Sequence, residues 1–137
     1  MSVALAAQPA AALRPGAICI RTERLNPSTL LVDAAGELDA ANARQLVDHV
    51  SAIDHPHSTL IVDLRGLTFF GTEGLWAVNR IIAASAKRHA SPVLVAGPEV
   101  RRLLRICDPH GALRTVSSVV DALVASKPNE ARALIHV

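Results

Sequence analysis

The run Asp63-Leu64-Arg65-Gly66-Leu67-Thr68-Phe69-Phe70-Gly71-Thr72-Glu73-Gly74-Leu75 holds the residue types best placed to do chemistry in this chain. An apolar stretch ends at Asp63, and a short loop then delivers Thr72 to the start of a helical pattern. A Thr hydroxyl at such a point caps the helix by accepting a backbone N–H. Glu73 in the first turn favours the helix dipole. The same hydroxyl is also addressable from solvent. A phosphate on it would meet the free N–H groups of the helix start and add roughly −1.5 to −2 charge beside Glu73 at neutral pH. Taken alone, the segment supports the cap first and the modifiable hydroxyl second.

The helix after Thr72 separates into two faces at about 100° per residue. Leu75, Val78, Ile81, Ile82 and Ser85 share the core face. Thr72, Trp76, Arg80, Ala83 and Lys87 fall opposite. Trp76 is thus expected to be partly exposed, close to Thr72, with Arg80 beside it. An exposed Trp next to an Arg is a common interface anchor; coverage by a neighbouring loop is the alternative.

Other constellations are weaker. His55-Pro56-His57, with only Asp54 nearby, is a poor metal-ligand set and reads as a solvated turn; no metal or cofactor is expected. Arg101, Arg102 and Arg105 lie on a mixed-charge helix face that is solvated or open to an acidic partner. No Gly-rich phosphate loop and no nucleophile motif is present. Nothing supplies the convergent titratable set that an enzyme needs. The expectation is a small soluble binding module without enzymatic activity.

Composition points the same way. The 137 residues suit one domain, and half of them are hydrophobic. Aromatics are limited to Phe69, Phe70 and Trp76, so the core must be aliphatic, and platforms for stacking bases are lacking. A net charge of +2, from 14 basic and 12 acidic residues, is too balanced for nucleic-acid binding. The Ala/Pro-rich start lacks a signal-peptide pattern, and no stretch approaches the ~20 apolar residues that span a bilayer. Cys19 and Cys107 sit in apolar settings and are expected as buried free thiols, consistent with the cytoplasm.

The elements that must position Thr72 follow from the hydrophobic pattern. Strands are expected over Ala17 to Arg24 and Thr29 to Ala35, joined by the Asn26-Pro27-Ser28 turn. Gly36 ends the second strand, and Asp39 caps a helix from Ala40 to about Ile53. Thr59 to Leu64 is a buried strand, interrupted by Arg65-Gly66, with residues 67–70 as loop. Then come a helix from Glu73 to about His89, a strand over Pro92 to Ala96, and a helix from Pro98 to about Cys107. A short strand from Leu113 to Val116 and a helix from Ser117 to about Ser126 complete the chain. This alternation predicts an α/β fold with a four- to five-stranded mixed sheet and about four helices. Residues 1–16 are expected as a flexible leader, 17–126 as the folded domain and 127–137 as a tail.

The chain resembles the STAS domain, in particular bacterial anti-sigma factor antagonists, over roughly residues 17 to 126. Gly36-Glu37-Leu38-Asp39 looks like the family's loop before its first helix. The Asp63 to Leu75 run looks like its signature, and Leu103, Leu104, Gly111 and Leu113 fit its later helix-to-strand pattern. The resemblance implies that Thr72 is the phospho-acceptor of a serine-kinase-type anti-sigma factor. It implies that Glu37 and Asp39 form the nearby binding loop. With Gly71, Glu73, Trp76 and Arg80 on and beside the helix start, they are expected to meet that partner; no nucleic acid or membrane is expected, and the protein is expected as a monomer or weak homodimer. The family usually has Asp before a Ser acceptor; here Gly71 precedes Thr72. That departure keeps a second reading open: a STAS domain that is not phosphorylated and binds a small ligand or nucleotide, or scaffolds a signalling complex.

Overall fold

The computed structural model describes residues 16–126. The expected leader, apart from Gly16, and the expected tail lie outside the described residues. Strands β1 (Ile18–Asn26), β2 (Thr29–Leu38), β3 (Thr59–Phe70), β4 (Ser91–Val95) and β5 (Thr115–Val116) form one sheet in that order. The β1–β2 hairpin is antiparallel and the remaining pairs are parallel, as the short first connection and the later crossovers require. Helices α1 (Ala43–Ser51), α2 (Thr72–Lys87) and α3 (Pro98–Cys107) connect successive strands, and α4 (119–126) follows β5.

Strand periodicity sorts the side chains into two layers. Leu30, Val32 and Ala34 of β2, Leu60, Val62 and Leu64 of β3, and Leu94 of β4 share the main core with Leu46, Val50, Val78, Ile81, Val100 and Leu104 of the first three helices. Ile61, Val93 and Val95 point the other way, onto Ala122, Val119 and Leu123 of α4. Ser118 starts α4, not Ser117: its Oγ accepts the Asp121 N–H at 3.0 Å.

Both strands that lead to the site are longer than expected. Gly36 does not end β2. It stays in the ladder opposite Ile18 and Leu67, with φ at +110°, and β2 continues to Leu38. Arg65-Gly66 does not interrupt β3, which pairs with β2 through Phe70. Register shifts between Asp33 and Ala35, and again between Gly36 and Glu37, each leave one extra residue on β3. At the first shift the Asp63 carboxylate accepts the Arg65 N–H at 3.1 Å and the Arg65 guanidinium at 3.0 and 2.8 Å. Polar residues that read as loop are therefore accommodated inside a bulged strand. Gly66 is required there, because a Cβ would lie 2.9 Å from that of Ala35.

Asp39 does not cap α1. Its carboxylate accepts the Ala41 N–H at 3.0 Å in a turn, and the helix starts three residues later than expected, after Asn42. Buried Asn42 organises the connection. Its Oδ1 accepts the Asp39 N–H at 3.0 Å, and its Nδ2 donates to the carbonyls of Glu37 at 2.7 Å and Gly16 at 3.1 Å. Neither thiol is buried: Cys19 is half-buried and Cys107 exposed. The buried stripe of α3 ends at Leu104, which leaves Ile106 and Cys107 in the last turn open.

Candidate functional site

Because α1 and α2 each follow a parallel strand, both begin at the carboxyl end of the sheet. The start of α2 is set by a close approach. Phe70, the last residue of β3, is buried, and a Cβ on Gly74 would stand 2.6 Å from its ring. Only glycine lets the first turn of α2 settle onto the strand end. Gly71 takes the N-cap position, its carbonyl accepting the N–H groups of Gly74 and Leu75 at 3.0 and 3.2 Å.

Thr72 is consequently the first residue of the helix and not its cap. No side chain caps α2, and Thr72 is exposed. Its hydroxyl is free of the structural duty that the sequence assigned to it. Glu73 beside it is the one acidic residue of the first turn.

The helix faces agree with the expected wheel, turned slightly. Gly74, Ala77, Val78, Ile81 and Ser85 are buried, while Leu75 and Ile82 are half-buried at the margin. Trp76 is 41% exposed, so no loop covers it among the described residues. The Arg80 guanidinium carbon lies 5.9 Å from its ring centroid, and that of Arg44, from α1, lies 6.0 Å away. Thr72, Trp76 and Arg80 follow at four-residue spacing and so form one stripe along α2. Arg44 joins it from the neighbouring helix.

The β2–β3 register puts Glu37 opposite Phe69, which is 49% exposed. A Cβ on Gly71 would come within 3.3 Å of the Phe69 ring, a tight contact. The Glu37 and Asp39 side chains are half-buried, and the Asp39 carboxylate is occupied by its turn. Of the residues singled out, Gly71, Thr72, Glu73, Trp76 and Arg80 lie together on the start of α2 and its outer face. Glu37 adjoins through Phe69, and Asp39 belongs to the neighbouring turn. Arg44 and Phe69 were missed as site residues. The pairing of Arg44 with Trp76 leaves no trace within either helix, and the exposure of Phe69 follows from the bulge beside it, which leaves both Thr68 and Phe69 outward between buried Leu67 and Phe70.

The opposite pole of the sheet carries two adjoining clefts. One, of about 460 Å³, is lined by Thr22, Arg24, Leu30, His49, Ile53 and His55 among others; its neighbour, of about 390 Å³, includes His57 and Arg88. His49 Nε2 lies 2.6 Å from Thr22 Oγ1, and burial pushes its pKa down. Among the described residues, no group of three or more His, Cys, Asp or Glu is placed to hold a metal ion. No helix among them is long and apolar enough to cross a membrane.

The STAS domain profile matches residues 22–122, which span β1 to α4 and include Thr72 and Trp76. The chain belongs to the STAS domain family. This STAS domain is similar to an anti-sigma factor antagonist from Mycobacterium paratuberculosis, at 26% identity over 82% of this chain and 96% of that one, with a TM-score of 0.70. Its fold is also shared by the anti-sigma factor antagonist SpoIIAA in its unphosphorylated form, at 17% identity, 80% and 97% coverage and a TM-score of 0.65. A sulfate transporter family protein from Wolinella succinogenes has the same fold, at 17% identity, 77% and 89% coverage and a TM-score of 0.65. A comparison with curated proteins finds no match. Within this STAS domain, the Gly71 departure has a physical counterpart: a side chain there would press on the exposed Phe69 ring.

Proposed function

We propose that this STAS domain is an anti-sigma factor antagonist. It binds a serine-kinase-type anti-sigma factor in the bacterial cytoplasm through the start and outer face of α2, and phosphorylation of Thr72 ends that binding. It is a regulatory module, a monomer or weak homodimer, without enzymatic activity or cofactor. One observation carries the reading. Thr72 is exposed in the first turn of α2 with no capping bond from any side chain, so its hydroxyl is available to a kinase. A phosphate there would sit on the free N–H groups of the helix start. Glu37, Gly71, Glu73, Trp76 and Arg80 surround it as the docking surface, with Asp39 in the adjoining turn.

Incubation of the full chain with an anti-sigma factor kinase and ATP, followed by intact mass measurement, tests this. The wild type is expected to gain one phosphoryl group and Thr72→Ala none. No gain on the wild type, or an equal gain on the variant, removes the switch.

The clefts at the opposite pole favour a second reading, a small-ligand or nucleotide site independent of Thr72. Calorimetric titration with nucleotides tests it, and a flat trace on folded protein rejects it.

A further inference from the structure

We infer that Arg44, Trp76 and Arg80 together form a receptor for a carboxylate-bearing segment of the partner protein, and that a phosphate on Thr72 competes with that segment for Arg44. The inference rests on the reading of the α2 face as a docking surface and names the chemistry that this face selects.

Two guanidinium carbons lie 6.0 and 5.9 Å from the centroid of one indole ring, which is within cation–π range. A ring face offers no lone pair. The N–H donors at the edge of each guanidinium therefore stay available while the group is stacked. Among the described residues neither Arg44 nor Arg80 has an ion-pair partner; the three ion pairs there use Arg21, Arg65 and Arg102. Asp48, one turn along α1 from Arg44, is not engaged by it. The first turn of α1 carries no acidic residue either. The cluster therefore presents two unneutralised forks around one exposed apolar ring. Its complement is a segment with Asp or Glu side chains next to an apolar one. A basic or neutral segment would leave both cations unpaired.

The competition follows from topology. Arg44 is the second residue of α1 and Thr72 the first of α2, at the same end of the sheet. Arg44 reaches across to Trp76, one turn from Thr72. A phosphate dianion binds a guanidinium fork more strongly than one carboxylate does. It would thus draw Arg44 from the ring and repel the acidic segment at once.

Trp76 is the single Trp and the chain has no Tyr, so its emission reports this ring alone. The test titrates the full chain with hexaglutamate, and with hexalysine as control, at low salt. A saturable change with hexaglutamate only is expected. It should weaken about tenfold in Arg44→Gln and again in Arg80→Gln, less in Arg44→Lys, and should weaken also in Thr72→Glu. Far-UV circular dichroism confirms that each variant is folded. An absent response, a response to both peptides, or equal affinity in the Arg44→Gln/Arg80→Gln double variant overturns the inference. A kinase that phosphorylates Thr72 alongside a flat titration sinks the stack but not the switch. The reverse result sinks the switch, and with it the role of phosphate as competitor.

Discussion

The Phe70 ring lies directly against Gly74, so close that a methyl group on Gly74 would come within 2.6 Å of two ring carbons. This contact joins the end of β3 to the first turn of α2, and it determines where Thr72 stands.

Gly74→Ala is therefore expected to destabilise the fold, although Ala is the better helix former by about 1 kcal/mol. Overpacking against a buried ring costs about 1–3 kcal/mol, and Leu38 at 3.2 Å closes the other way out. Urea unfolding of the two proteins measures the difference. A more stable variant would mean that Phe70 moves freely, and the account of the helix start would fail.

Asn42 and Thr72 should behave oppositely on truncation. Asn42→Ala removes three hydrogen bonds to backbone groups, two of them tying the turn after β2 together, and should cost about 2 kcal/mol. Thr72→Ala removes no capping bond and should stay within about 0.5 kcal/mol of wild type. A loss of about 1 kcal/mol at Thr72 would restore it as a structural cap. The same urea experiment reads both.

Stability should fall on acidification through His49. Burial lowers its folded pKa below the ordinary value of 6.5, so the unfolded chain takes up the proton more readily. The contribution is fully present above pH 6.5 and is lost as pH falls below it, towards the folded pKa. Urea midpoints from pH 7.5 down to 5 should drop for wild type, and by less for His49→Gln. Equal drops would remove His49 as a cause.

The sequence is legible wherever one element decides the outcome by itself. The order of strands and helices, the mixed sheet and the exposure of Trp76 all follow from periodicities of 2 and 3.6 residues. These place apolar groups on one side regardless of what lies beyond. The Asp63 to Leu75 run is legible because its residue types are contiguous.

What only the tertiary structure decided depends on distant partners. Arg65, Gly66 and Thr68 read as loop because they are polar or flexible, yet β2 supplies the ladder that keeps them in β3, with Asp63 taking up the amide freed at the bulge. Thr72 read as a cap because its type favours that position. Its displacement by one residue to the first helical position comes with the Phe70–Gly74 contact, which joins two elements. Arg44 meets Trp76 only because α1 packs beside α2. The chain by itself determined that a hydroxyl and an indole share one helix face. The packing of a second helix against it decided that a second cation, Arg44, joins Arg80 at that indole.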